Sequence, residues 1–379
     1  MSSADGLNDL ATVPTREALY EDHRHLLDLL RSGAAEADDA GRLPQAVLTA
    51  MRSSGILAAA VPPEYGGPGG GALLTNRLIE HVAEADPSAA IILYQHYAVS
   101  ARIGERGTAE QRAHYLPRLA SGEWIAASAW SESGAGADKR NIATTARRVD
   151  GGWILDGAKT FTTGAGLASF YLVLAQSSEP DGRELAYGTG GQTFYLVAAD
   201  SPGLVADAGM DLVGMRASAT GFVELHSCFV PDAAVLGPVG EAASIIAEVR
   251  DCGATLGAVA VGIAEAAHRL AEAHARARGL DGQQAVRFRL ADLAGRVESA
   301  RAIVERAGRR ESDAPGLTTL RSKLVASTLA EETCLEAQRL LGSTGFLRSH
   351  PVNRLARDVR AVGLMGPTND LCRQLLSEK

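Results

Sequence analysis

Two short segments carry residues suited to gripping a flat heterocycle. The first runs Ala127-Ser128-Ala129-Trp130-Ser131-Glu132-Ser133-Gly134-Ala135-Gly136-Ala137-Asp138. It reads as a strand end followed by a Gly-rich loop. Small residues let backbone approach a planar ligand, and the Ser131 hydroxyl can bond a ring edge. The plainer reading is a Gly-rich surface loop. The second runs Asp156-Gly157-Ala158-Lys159-Thr160-Phe161-Thr162-Thr163-Gly164-Ala165. A turn leads into a strand that ends in an aromatic and two threonines. Its plainer reading is a hairpin whose threonines serve strand propensity.

Few isolated side chains look able to move a proton. His96 lies in an apolar helical run, Tyr94-Gln95-His96-Tyr97. A lone His there is more often packed in a core, although its mid-range pKa suits acid–base work. Asp251 and Cys252 are adjacent, and adjacent helix positions point about 100° apart, so both cannot face one site. Asp251 reads first as a solvated or capping acid. Cys252 would need an electropositive setting to be a nucleophile.

These residues must be positioned by three kinds of chain. The first third has helical spacing over 15–37, 43–55, 72–85 and 89–103, with the stripe Leu19, His23, Leu26, Leu27 and Leu30 in the first run. Asp86-Pro87-Ser88 and Thr108-Ala109-Glu110 read as helix starts. The Pro- and Gly-rich run 61–71 must be loop. The middle third has short β-branched or aromatic runs over 143–149, 153–156, 170–176, 193–198 and 221–229, divided by turns such as Asp150-Gly151-Gly152. The last third predicts long helices over 241–278, 283–308 and 318–341, with a final helix inside 369–376. Strands segregated from helices predict an α+β chain in three parts. These are a helical domain over 1–122, a small antiparallel β-barrel over 123–237 and a helical bundle over 238–379.

Composition narrows the function classes. With 379 residues, a hydrophobic share of 46% and a charged share of 22%, the chain can build more than one core. Its net charge of −8 and lack of a basic cluster argue against nucleic acid and anionic membranes. The four cysteines form no CxxC pair and have no His at ligand spacing, so no metal site is expected. Reduced cysteines and an N-terminus without an apolar signal core predict a cytoplasmic protein.

Taken together, the motifs resemble the acyl-CoA dehydrogenase family over nearly the whole chain. Val61-Pro62-Pro63-Glu64-Tyr65-Gly66-Gly67 resembles its early loop, and Gly107-Thr108-Ala109-Glu110-Gln111 the run entering its β domain. Val213-Gly214-Met215-Arg216-Ala217-Ser218 resembles the run leaving that domain. Gln284 with Leu290-Ala291-Asp292 matches a third-domain helix. Gly342-Ser343-Thr344-Gly345-Phe346 with Arg357-Asp358 resembles the C-terminal motif.

The resemblance implies a three-part flavoprotein fold with FAD, with FMN as the alternative. Trp130 and Ser131 would line the pyrimidine side of the ring. Phe161 stands where the family has a Trp on the flavin, and Thr163 would place its hydroxyl near N5. Gly342, Thr344 and Gly345 would reach the pyrophosphate or adenine half from a neighbouring subunit, with Arg276 and Gln284 as further candidates. That implies a homotetramer or homodimer. The substrate would be an acyl thioester on CoA or an acyl carrier protein, or a small molecule.

The catalytic centre departs from the family. Its glutamate base follows the C-terminal Arg-Asp, where this chain has Gly366-Pro367-Thr368, or stands early in the third domain, where this chain has Cys252. His96 and Asp251 are the ionisable groups nearest in sequence, and the Gly366 N–H could still polarise a thioester carbonyl. Ala137 replaces a serine common in the family's loop. The reading is α,β-dehydrogenation with an atypical base. The alternative is a flavin-dependent monooxygenase on the same fold, favoured by the Thr163-Gly164 ending.

Overall fold

The computed structural model describes residues 13–135, 139–179, 184–185 and 188–378. Gly136, Ala137 and Asp138 lie outside the described residues, so the Ala137 substitution has no structural account.

Among its described residues, the N-terminal part has the α-helices α1 (Arg16–Asp22), α2 (Arg24–Ala40), α3 (Gln45–Ser53), α4 (Gly71–Ala85), α5 (Pro87–Arg106) and α6 (Ala109–Ala120). Their starts follow local chemistry. The Asp86 carboxylate accepts from the N–H groups of Ser88 (2.7 Å) and Ala89 (3.2 Å), with Pro87 in the first turn of α5. Thr108 and Gln111 cap each other at the start of α6. Between α3 and α4, Gly67 passes so close to the Val61 carbonyl that a Cβ would sit 1.7 Å from its oxygen. Only glycine allows that approach.

The middle part has β1 (Ala126–Ala129), β2 (Thr145–Val149), β3 (Gly152–Thr162), β4 (Phe170–Gln176), β5 (Glu184–Leu185), β6 (Gly188–Thr189), β7 (Gln192–Ala198), β8 (Leu204–Asp207), β9 (Gly221–Pro231) and β10 (Val235–Leu236). One sheet runs β10-β7-β4-β2-β3-β9-β8, with β1 added on β4, and β5–β6 form a separate hairpin. Most pairs are antiparallel. Within the sheet, β1 and the first residue of β2 meet β4 in parallel. The parallel β1 carries the chain straight from α6 into the loop at Trp130.

The C-terminal part has α7 (Ala242–Val249), α8 (Gly257–Ala277), α9 (Gln284–Arg309), α10 (Pro315–Leu341), α11 (Pro351–Leu364) and α12 (Asn369–Ser377). The single helix expected over 241–278 is broken. A 3-10 turn covers Arg250–Cys252, and Gly253 follows at φ 85. A Cβ on Gly253 would sit 2.2 Å from the Ala307 carbonyl oxygen. The close approach of α9 therefore requires the break. One apolar core joins α2, α4 and α5 to α8–α11, and a second lies under the sheet against α5 and α6. The two run motifs also meet each other. Met215 N–H donates to the Asp358 carboxylate, and Arg357 donates to the Val213 carbonyl and pairs with Asp38. No helix among the described residues is long and apolar enough to cross a membrane.

Candidate active site

The two ring-gripping segments are joined through backbone. Thr160 N–H donates to the Ser131 carbonyl at 2.8 Å, where β3 passes the end of β1. Between the pairs Lys159↔Val223 and Thr162↔Gly221, β3 carries one extra residue. This bulge places Phe161 at φ 52 and turns its ring outward, leaving the side chain 65% exposed. Positive φ is rare for an aromatic residue and marks a site with a constraint.

The polar side chains here are oriented by buried partners. Lys139 donates to the Ser131 hydroxyl oxygen at 2.8 Å, which leaves the Ser131 O–H free to donate outward. Glu132 and Lys159 form a buried ion pair at 2.6 Å. Glu132 also accepts from Thr144 N–H and from its hydroxyl. Burial alone would raise the Glu132 carboxyl, but Lys159 and these donors outweigh it and hold it below the ordinary value. Burial draws the Lys159 ammonium down to about 8 against the pull of Glu132. Both groups are therefore charged at neutral pH.

Thr163 lies in a chain of hydroxyls. Its Oγ1 is 3.1 Å from that of Thr220, which is 2.7 Å from the Ser218 hydroxyl. Three O–H donors share two hydrogen bonds, so one donor is left over. When the chain runs from Ser218 towards Thr163, that donor belongs to Thr163. The Trp130 indole Nε1 is buried without a hydrogen-bond partner among the described residues. An orphaned donor, a spare hydroxyl and an outward aromatic ring fit the edge and face of a flavin.

Beside Trp130 opens a cavity of about 720 Å³. Its walls are one face of α5, the start of α4, the turn around Cys252 and the junction of α9 with α10. The candidate bases His96 and Asp251, and the Gly366 N–H, lie elsewhere. His96 is buried in the core, with Nε2 3.0 Å from the Leu57 carbonyl and Nδ1 accepting from Ala126 N–H at 3.4 Å. Burial lowers its pKa to about 4, so it stays neutral and tied to backbone at both nitrogens. Asp251 is exposed and points at the first turn of α10, where a Cβ on Gly316 would meet its Oδ1. Gly366 is an exposed turn residue between α11 and α12. None of these three lines the cavity. Cys252 does line it, along with Tyr94, Arg102 and Glu105. The last three carry no motif, and only their shared helical face on α5 could have drawn attention to them.

The remaining cofactor candidates sit apart, on the outside of the bundle. Arg276 is 69% exposed in the last turn of α8, paired with Glu272 at 3.5 Å. Gln284 opens α9 and is exposed. Gly342 takes φ 57 and ψ −136, a conformation open only to glycine, and ends α10. Gly345 packs so tightly that a Cβ would lie 2.8 Å from the Leu341 Cβ, while Thr344 is half-buried. Phe346 then projects 92% exposed. His350 lies near enough to His274 for the two imidazoles to interact, so this loop borders the end of α8.

Comparison with known proteins agrees along the whole chain. The acyl-CoA dehydrogenase N-terminal, middle and C-terminal domain families match residues 16–123, 127–228 and 253–379. The probable acyl-CoA dehydrogenase FadE25 of Mycobacterium tuberculosis strain H37Rv is 34% identical over 91% of this chain and 89% of its own. The structure of butyryl-CoA dehydrogenase from Megasphaera elsdenii superposes with a TM-score of 0.88 at 26% identity, covering 100% of this chain and 98% of that one. FkbI, described as serving biosynthesis of the methoxymalonyl extender unit of the polyketide FK520, superposes with a TM-score of 0.82 at 29% identity, covering 94% and 98%.

Proposed function

From the premise that this chain belongs to the acyl-CoA dehydrogenase family and is a flavin-dependent oxidoreductase that uses FAD, we propose that it dehydrogenates an acyl thioester between Cα and Cβ with an atypical base. One observation carries the reading. The end of the ring cradle, Trp130, is also a wall of the cavity, so a bound acyl chain would lie beside a flavin held there. Bound FAD supplies the two-electron acceptor for a hydride from Cβ.

The chain's own residues do the rest. Trp130 and the outward Phe161 ring would flank the isoalloxazine. The spare donors of Ser131 and Thr163 would bond its edge, where charge develops on reduction. In this reading the proton from Cα goes to a group on the cavity wall, where neither His96 nor Asp251 stands. Among the described wall residues, Cys252 and Glu105 are the acceptors considered for it, with Glu105 already paired to Arg102. Burial raises the Cys252 thiol above its ordinary value, which weakens it as a resting thiolate. The thioester carrier is CoA or an acyl carrier protein, and the polyketide setting of FkbI brings the second into any substrate panel.

The same reading makes the protein a homo-oligomer. The exposed Phe288, Leu335, Phe346 and Leu347 of the bundle suit a second copy, whose Gly342–Gly345 loop would complete the adenine half of the site.

Exchange of the α-proton tests the base separately from hydride transfer. In deuterated buffer the protein should exchange the Cα hydrogen of a bound thioester. Either Glu105→Gln or Cys252→Ser should slow exchange by about 10²-fold or more. Exchange untouched by both substitutions would place the base off this wall.

A further inference from the structure

The face of α5 that lines the cavity is not wholly apolar. Tyr94, Tyr97, Ala98, Ala101, Arg102 and Glu105 follow helical spacing along it. Arg102 is only 3% exposed. A guanidinium so buried is costly unless its donors are used. Glu105 accepts from Nη1 at 2.6 Å and from Nη2 at 3.1 Å, and the Cys252 thiol touches the same guanidinium. Arginine has five N–H donors, so Glu105 leaves several for a further acceptor. The Tyr94 hydroxyl lies close enough to Arg102 and Cys252 to feel both, and no hydrogen bond is made by it among the described residues. Arg309 and Arg310 also line the cavity, and Glu105 is the one acidic residue among its described lining residues. Three arginines thus stand against one glutamate, although Arg309 is held by Glu305.

We propose that this part of the cavity is an anion subsite. Arg102, oriented by Glu105, and Tyr94 receive a carboxylate carried on the acyl part of the substrate. The substrate class is then a dicarboxylic acyl thioester and not a simple fatty acyl chain. The proposal rests on the thioester reading above. Carboxylate geometry matches a guanidinium fork with two parallel bonds. The phosphates of the carrier arm are the other source of an anion, and the two sources make different predictions.

Succinyl-CoA and butyryl-CoA share the carrier and the four-carbon chain and differ by one carboxylate. Added anaerobically to the flavin-loaded protein, succinyl-CoA should perturb the flavin band at about tenfold lower concentration. Arg102→Met should abolish that preference, and Arg102→Lys should restore part of it. Equal affinity for the two esters in the unaltered protein, or an equal loss for both in Arg102→Met, would overturn the carboxylate assignment in favour of the carrier phosphates.

A second measurement needs neither thioester nor variant. Cys252 is half-buried while Cys228, Cys334 and Cys372 are buried, so a neutral alkylating reagent should mark it first. Malonate should slow labelling of Cys252, read by mass spectrometry, and dimethyl malonate should not. Malonate without effect would overturn the subsite. Protection by malonate together with an unresponsive flavin band for both esters would keep the subsite and sink the thioester reading.

Discussion

Around Trp130, the side chains of Ser131, Glu132 and Thr163 are each tied to another part of the same chain. Lys139 fixes Ser131, Lys159 pairs with Glu132, and Thr220 holds Thr163. At the far end of the bundle the opposite holds. Among the described residues Arg276 pairs with the neighbouring turn's Glu272, Gln284 is exposed, and Phe346 stands in solvent beside a loop of strained glycine backbone. The residues assigned to the flavin ring are set by the folding of one chain. In the reading proposed above, those assigned to the adenine half are completed by a second copy of the chain. Folding and cofactor retention should therefore respond differently to substitution in the two regions.

The largest contrast comes from breaking the ion pair under the ring cradle. Lys159→Met leaves the Glu132 carboxylate buried without its cation, and loss of one partner of a buried pair costs about 3–5 kcal/mol. Chemical denaturation should show a drop of that size together with loss of flavin. A stability change under about 1 kcal/mol would mean that the cradle is not held as described.

A second effect of similar origin depends on pH. His96 joins α5 to β1 in its neutral form, with its pKa lowered to about 4 by burial. In the unfolded chain it takes a proton from about pH 6.5 downward. The unfolded state then binds more protons between pH 6.5 and 4, so the contribution of His96 is present above that window and is lost as pH falls through it. Compared with His96→Gln, the unaltered protein should lose about 3 kcal/mol more stability across that range. Parallel pH profiles of unfolding for the two proteins would contradict the neutral buried imidazole.

Thr163→Val tests the spare hydroxyl. Shape is nearly kept, so the fold should survive. Flavin reduction should slow about tenfold to a hundredfold, because one donor at a charge-developing atom is lost. An unchanged rate and an unchanged flavin spectrum would reduce Thr163 to a turn residue after β3.

The smallest effect on stability should come from the bundle end. Arg276→Ala should change unfolding free energy by no more than about 0.5 kcal/mol, as for other exposed positions. FAD release should nonetheless quicken, and more so in the assembled protein than after dilution to monomers. Equal release rates at all protein concentrations would break the comparison between the two regions.

The sequence made some of this legible, and the reason is locality. The Asp86 and Thr108 helix starts, the strand ending at Thr162 and the Gly342 turn are each written in a few consecutive residues. Helix α11 was missed, although Val352, Leu355, Val359 and Val362 repeat at helical spacing and are buried. The break before α8 was missed because what forbids a side chain at Gly253 is the Ala307 carbonyl, far along the chain. The cavity wall failed for the same reason. Arg102 and Cys252 meet only after α5 packs beside the turn that precedes α8. At Asp251 and Cys252 the choice hung on a single residue, and the 3-10 turn faces the cysteine inward and the aspartate out.

The most direct test of the account is anaerobic mixing of the flavin-loaded protein with acyl thioesters on CoA and on a carrier protein. The account predicts bleaching of the oxidised flavin band with at least one of them, and an α,β-unsaturated thioester as product. No bleaching with any member of the panel, combined with an oxygenated product when reduced flavin and oxygen are supplied, would contradict it and establish a monooxygenase on the same fold.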